Sequence, residues 1–333
     1  MSPADTLRQL INSQVISRLI YVVAKLGIAD FLKNGPMSCE QLAKSVNVNS
    51  SSLYRALRTL ASVGVFSETE AGIFKQTKMS KLLESDIAGS QRAVAMLVWE
   101  PWWRQGWDEL LYSVETGKVG FDHVHGMGLF EYLSRNADAS SLFNKAMDSF
   151  TGQEIDSILS SYDFSNFTKI VDIGGGNGAF MCAILKSCPD VNGILFDLPN
   201  TIATARKLMK ENAEEKRCDL IAGDFFKSMP VGGDLYTLKS VIHDWDDERA
   251  IDLLKNCHKA MAGDGRLLLI ERVIPSGDVP SAGKIMDIVM MVNLGGLERN
   301  ANEYEALLNE SGFRLTGIIP TGSAMSIIEC VPD

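Results

Sequence analysis

One stretch constrains this chain more than any other. Ile170-Val171-Asp172-Ile173 runs directly into Gly174-Gly175-Gly176-Asn177-Gly178. A short apolar run that ends in glycines reads as a buried strand followed by a tight loop, where the backbone can approach a ligand closely and adopt φ > 0. The pattern around it extends the reading. Gly193 to Phe196, Leu235 to Leu238 and Arg266 to Ile270 are further short apolar runs. Helical stretches separate them: Ala179 to Ser187, Thr201 to Asn212 and Asp246 to Ala262. Such alternation predicts βαβ units and a parallel sheet covered on both faces. Phe313 to Ile319 and Met325 to Val331 are separated only by a short turn, which requires an antiparallel pair.

The first half of the chain reads as helical. Leu7, Leu10, Ile11, Val15, Leu19, Val22 and Val23 recur at three- and four-residue spacing, the period of an amphipathic helix. A second short helix follows near Asp30 to Leu32 and stops at Gly35-Pro36. Ser38-Cys39-Glu40-Gln41 has the spacing of a capping box. Leu42 and Val46 point inward from the helix it opens. A second helix starts at Asn49 to Ser52 and carries Leu53, Leu57 and Leu60. Val65-Phe66 and Ile73-Phe74 read as a two-stranded wing, so the region resembles a winged helix-turn-helix. DNA binding fits it poorly. Residues 36–80 hold five basic and three acidic side chains, and the second helix offers only Arg55 and Arg58. A DNA reader needs more phosphate-binding charge.

Residues 81–165 continue as helices. Trp99, Trp102, Trp103 and Trp107 crowd one segment, and Phe143, Met147 and Phe150 form a further apolar stripe. Core packing accounts for most of these rings, and a wall for a flat ligand is the sharper reading of some. His123 and His125 form an H-x-H that reads as a solvated loop, with no matching cluster of metal-binding residues.

Composition sets the class. The chain has 333 residues, 46% of them hydrophobic, and a formal charge of −10. That length and apolar content predict two folded domains, and the acidic balance disfavours nucleic acid and anionic membrane as partners. None of the six cysteines forms a C-x-x-C pair, so buried thiols in a reducing compartment are expected. No signal peptide or membrane-length apolar run is evident. The expectation is a cytoplasmic protein.

Candidate site residues cluster at the ends of the apolar runs. Asp197 ends one strand, 23 positions after Gly174, where an acid can accept both ribose hydroxyls of a nucleoside cofactor. Gly223-Asp224-Phe225-Phe226 places a carboxylate beside aromatic rings, which suits adenine. His243 lies just beyond Leu235 to Leu238, and Glu271 follows Arg266 to Ile270. Adjacent strand ends can bring the two together, and a carboxylate on one imidazole nitrogen prepares the other to act as a base.

The nicotinamide fingerprint G-x-G-x-x-G fits Gly174 to Gly178 poorly. The D-x-G-x-G spacing, with Asp172 ahead of the glycines, resembles motif I of S-adenosylmethionine-dependent methyltransferases. In order, the chain then shows Phe196-Asp197-Leu198-Pro199, Gly223-Asp224-Phe225, Lys239, His243-Asp244-Trp245, Ile270-Glu271-Arg272-Val273-Ile274-Pro275 and Gly295-Gly296-Leu297-Glu298-Arg299. With the winged-helix region and Phe143-Asn144-Lys145-Ala146-Met147, these resemble the small-molecule O-methyltransferases of the plant caffeic acid type and their bacterial tailoring relatives over nearly the whole chain.

The resemblance implies an α/β Rossmann-like class I methyltransferase domain, a parallel sheet with one antiparallel edge strand, behind an N-terminal helical and winged-helix dimerisation domain. The expected division is residues 1–100 for dimerisation, 101–165 for a helical linker that contributes to the substrate pocket, and 166–333 for the catalytic domain. Gly174, Asp197, Asp224, Phe225 and Lys239 would contact S-adenosylmethionine, whose product is S-adenosylhomocysteine. His243 would be the general base, held by Glu271 and Glu298. Phe143, Met147, Asp244, Met290 and Asn293 would line the acceptor site. A small aromatic hydroxyl acceptor, a homodimer and no metal are implied. The rival functions are N-methylation of a heteroaromatic compound and a non-catalytic winged-helix sensor.

Overall fold

The computed structural model describes residues 2–333 apart from 88, 213, 215 and 262, and apart from the side chains of 150, 151 and 153. The expected stripe position Phe150 and the expected helix end Ala262 therefore lie outside the described residues. The chain forms two compact units. One comprises Met1–Gln105 and Phe130–Phe150, the other Gly106–Leu129 and Thr151–Asp333.

The first unit begins with the helix Pro3–Lys25, capped by Ser2 in a capping box with Asp5. The box read at Ser38 and Gln41 opens the helix Cys39–Ser45, and Asn49 caps Ser50–Ser62. The wing is three-stranded: β1 (Met37–Ser38), β2 (Phe66–Glu70) and β3 (Ile73–Gln76) in the order β1-β3-β2. Leu42, Leu53, Leu57, Leu60, Phe66 and Phe74 are buried together beneath it. Burial of such side chains stabilises the unit by about 1.5–3 kcal/mol each. The first helix differs from this pattern. Leu7, Leu10, Ile11 and Val15 are 49–66% exposed, so its apolar stripe stays largely uncovered among the described residues.

The second unit is a seven-stranded sheet. Its strands are β4 (Lys169–Ile173), β5 (Asn192–Asp197), β6 (Cys218–Ala222), β7 (Leu235–Lys239), β8 (Arg266–Glu271), β9 (Phe313–Pro320) and β10 (Ser326–Pro332). Their order is β6-β5-β4-β7-β8-β10-β9. The first five strands of that order are parallel. β10 pairs antiparallel with both β8 and β9, so the reversed strand lies one place in from the edge. One face is covered by the helices Ala179–Ser187 and Pro199–Glu211 with Ile155 and Ile158, the other by Asp247–Ala260 and Ala301–Glu310. Strands buried on both faces explain the continuous apolar runs.

The structure adds to the sequence reading at several points. β6 was not among the apolar runs, because Asp219 interrupts it and it is a half-exposed edge strand. The helices Ala282–Asn293 and Ala301–Glu310 lie between β8 and β9. The H-x-H segment is a short helix, Gly120–His125, rather than a loop. His123 stacks on Tyr112 with ring centroids 4.0 Å apart. Among the described residues, no helix is long and apolar enough to cross a membrane.

Candidate active site at the carboxyl ends of the parallel strands

β4 and β7 are the neighbours between which the strand order reverses, the place where open α/β sheets bind ligands. The loop after β4 turns at Gly174 with φ 67°. A Cβ there would also lie 2.8 Å from Val241 Cγ2, so only glycine lets the chain turn and pass the β7 loop. The Gly176 amide donates to Asp197 Oδ2 at the end of β5, at 2.9 Å. Asp197 Oδ1 accepts from its own neighbour, Leu198. Burial raises the Asp197 carboxyl above its usual range. Asp172 lies under the loop, fully buried. Thr237 donates to its Oδ1 at 2.7 Å, while Oδ2 has no partner among the described residues. Burial pushes this carboxyl up to about 7.

After β6, Asp224 Oδ1 accepts the Phe226 amide at 3.0 Å. The Phe225 ring meets Phe226 and Trp245 edge-on, with centroids 4.8 and 6.0 Å away. Lys239 ends β7, but its ammonium pairs with Glu154 Oε2 at 3.3 Å. Glu154 was not anticipated; it lies on the helix Ala137–Ser161.

The backbone then makes a sharp turn. Ser240 takes φ 54°, a conformation costing a non-glycine residue about 1 kcal/mol that tends to persist at functional sites. The amides of Val241 and Ile242 both donate to Glu271 Oε1, at 2.9 and 2.8 Å. Glu271 thus pins the turn that carries His243. The nearer partner of the imidazole is Glu298, whose Oε1 lies 2.9 Å from Nδ1. Glu271 Oε2 stands 3.8 Å from the same nitrogen. Asp244 Oδ1 is 3.4 Å from Nε2.

Glu298 is held by residues to which the sequence reading gave no role, Gly296 and Arg299 of its own segment among them. Arg299, fully buried, bonds Asp247 at 2.7 Å and the Trp245 carbonyl at 3.0 Å. Asp287 accepts the Glu298 amide at 2.9 Å. Gly296 packs against the His243 turn so closely that a Cβ would meet His243 O at 2.0 Å.

The electrostatics follow from this packing. Burial alone would lower the His243 pKa. Glu271, Asp244 and Glu298 outweigh it and raise the imidazole to about 9. Burial raises Asp244 to about 7 against the pull of His243, and burial raises Glu271 too. With Nδ1 bonded to a carboxylate, Nε2 is the nitrogen positioned to exchange a proton with a ligand.

Of the expected acceptor residues, Met290 and Asn293 are buried on the helix Ala282–Asn293. Asn293 Oδ1 has no partner among the described residues. Phe143 and Met147 lie in the first unit, half-buried, and Phe143 packs against Trp103 with centroids 6.2 Å apart.

A mostly parallel seven-stranded sheet with a reversed strand, an acid–glycine loop and acids at successive strand ends define a class I methyltransferase. The family models agree. An O-methyltransferase domain matches residues 107–314 and an O-methyltransferase dimerisation domain matches residues 8–86. The chain belongs to this O-methyltransferase family. It is 41% identical to the phenazine O-methyltransferase PhzM of Lysobacter antibioticus, over 99% of this chain and 96% of that one. It is 30% identical to the phenazine-1-carboxylate N-methyltransferase of Pseudomonas aeruginosa, over 96% and 94%. The crystal structure of NcsB1, an O-methyltransferase from neocarzinostatin biosynthesis in complex with S-adenosylmethionine and a naphthoic acid, superposes with TM-score 0.83 at 29% identity. That match covers 95% of this chain and 96% of the other.

The chain is therefore an S-adenosylmethionine-dependent methyltransferase. Its residues suit that cofactor. The glycine loop is open, since a Cβ at Gly176 would meet nothing within 4 Å. Beneath it, Asp172 keeps an unpartnered oxygen.

Proposed function

We propose that this chain methylates a hydroxyl group on a small aromatic acceptor, with His243 as the general base. The observation that carries the reading is the buried His243–Glu298 hydrogen bond of 2.9 Å beyond a strand end. Bound S-adenosylmethionine supplies an electrophilic methyl group on a sulfonium sulfur. His243 Nε2 takes the acceptor's hydroxyl proton. Glu298 and Glu271 stabilise the imidazolium that forms, as an acid partner does for any histidine base. A phenol has an ordinary pKa of about 10 and is a weak nucleophile until deprotonated. Alignment of the two reactants supplies much of the remaining rate.

Asp197 and the Gly174 to Gly178 loop would hold the nucleoside end, Asp224 and Phe225 the adenine, and Lys239 would be a further contact to the cofactor. Within the second unit, Asn293, Met290 and Asp244 would line the acceptor side. The unpartnered Asn293 Oδ1 supports a polar contact to the acceptor there. The names of the relatives point to fused aromatic acids and phenols as the acceptor class. Asp197→Ala removes a charged acceptor and frees the Gly176 amide. It should weaken S-adenosylhomocysteine by about 2–3 kcal/mol in calorimetry.

The first helix supports a homodimer. A contiguous exposed apolar stripe marks an interface, and the dimerisation match begins within this helix, at residue 8. Light scattering should give about twice the 36.5 kDa chain mass. Charge substitutions at Leu10 and Ile11 should shift that mass toward the monomer.

The N-methylating relative keeps a second reading open: transfer to a heteroaromatic nitrogen, which needs no base. A mass-spectrometric screen of aromatic hydroxy compounds and heteroaromatic amines, with S-adenosylmethionine supplied, separates the two. Gain of one methylene by the hydroxy compounds supports the proposal. Gain confined to the nitrogen compounds overturns it.

A further inference from the structure

The base stands at one end of an unbroken row of buried charges. Lys239 Nζ lies 3.3 Å from Glu154 Oε2. The other oxygen of Glu154 accepts Arg272 Nη2 at 3.1 Å. Arg272 Nη1 lies 3.9 Å from Glu298 Oε1, the atom 2.9 Å from His243 Nδ1. The signs alternate along the row, and each of the five side chains is at least nine-tenths buried.

We propose that Arg272 and Glu154 are positioning residues that set the proton affinity of His243: Arg272 is the counter-charge to Glu298, and Glu154 governs how much of that charge Glu298 receives. The proposal rests on the reading of His243 as the base. Glu271, Glu298 and Asp244 already hold the imidazole's proton above its ordinary range, and with no cation beside them they would hold it more tightly still. Arg272 supplies that cation. Glu154 sits on its far side and draws part of the guanidinium charge away, while also holding Lys239.

The other groups around the dyad do not take this role. Asp287 of the helix Ala282–Asn293 accepts the Glu298 amide. The fully buried Tyr304 hydroxyl, on the helix Ala301–Glu310, faces Glu271 and Glu298 but carries no charge. Arg299 is bonded to Asp247.

The geometry dictates opposite signs for two substitutions. Arg272→Gln removes the cation and should raise the His243 titration midpoint. Glu154→Gln releases the Arg272 charge onto Glu298 and should lower it. Each shift should be about half a unit or more, given charges 3–4 Å apart in a buried setting. Arg272→Lys should return the midpoint toward the native value. The double variant keeps the charge balance and should lie between the single ones.

The test is nuclear magnetic resonance of the whole protein, labelled at histidine ring nitrogens and saturated with S-adenosylhomocysteine. The chain has four histidines, and His243→Ala assigns the signal. Removing one partner of a buried pair is destabilising, so each variant is first melted to show that it is folded. Should Arg272→Gln not fold, Glu154→Gln decides alone: a fall in the midpoint supports the proposal, and a rise or no change overturns it. Shifts of the same sign in both single variants, or in neither, also overturn it. No acceptor is present in the titration. The role of Arg272 is therefore tested apart from whether the chain methylates oxygen.

Discussion

Replacing His243 with alanine should cut methyl transfer to a phenolic acceptor by about 10²–10⁴-fold at neutral pH, the usual contribution of a positioned base. Affinity for S-adenosylhomocysteine should change little. The pH dependence carries the diagnosis. A base must be neutral, and His243 is raised to about 9 by Glu271, Asp244 and Glu298 against its burial. The native rate should therefore climb as pH rises toward 9. The alanine variant should instead climb with ionisation of the acceptor itself, near the phenol value of about 10, so the deficit narrows in alkali. Stability moves the opposite way. The folded-state pKa of His243 lies above its unfolded value, so the imidazolium stabilises the native chain fully below about pH 6.5, and that contribution is lost as pH rises through about 9. Thermal melts of native and variant protein should converge at the alkaline end. If turnover per folded molecule stays near native in His243→Ala at neutral pH, the acceptor needs no base and nitrogen becomes the favoured target.

Gly296→Ala should be nearly as damaging, although residue 296 has no functional group. Its Cβ would lie 2.0 Å from His243 O, 2.4 Å from the Asp244 carbonyl carbon and 2.7 Å from Trp245 N. These are backbone atoms, and Glu271 and Arg299 both hold that turn. The 295–299 segment must therefore retreat. Overpacking of this kind costs about 1–3 kcal/mol, which a denaturant titration would read as an earlier midpoint. Retreat also withdraws Glu298 from Nδ1, so turnover should fall by at least tenfold while cofactor affinity holds. A variant with native turnover would show that the His243–Glu298 contact can be stretched without consequence.

Much of this was legible because it is local in sequence. The Ser38–Gln41 box, the helix start at Asn49 to Ser52, the glycine loop and the closing hairpin are written in spacings of a few residues, and the structure shows each. Strand-end placement was enough to gather His243 and Glu271. The same reasoning placed Glu271 on the imidazole, whereas its Oε1 is spent on two backbone amides and Glu298 makes the short contact. Spacing carries no information on which of two nearby carboxylates wins. Glu154 and Arg272 are separated by 118 positions, so no window reveals their pairing. Arg272 stood beside Glu271 within a motif already singled out, and only its burial shows that it faces inward. The helix Ala301–Glu310 is a different case. Asn300 and Glu303 form the same type of capping box as Ser38 and Gln41, so its start was readable by the rule that found the earlier helix.

The central claim is transfer of a methyl group to oxygen with His243 as base. It is tested most directly with one acceptor that offers both chemistries: a hydroxylated aza-aromatic with a phenol and a ring nitrogen. The native enzyme and His243→Ala are given this acceptor and isotopically labelled S-adenosylmethionine in a single turnover, and fragmentation mass spectrometry locates the label. The expected result is label on oxygen with the native enzyme, and a loss of about a hundredfold or more in that product with His243→Ala at neutral pH. Label on the ring nitrogen, formed equally fast by both proteins, would contradict the account.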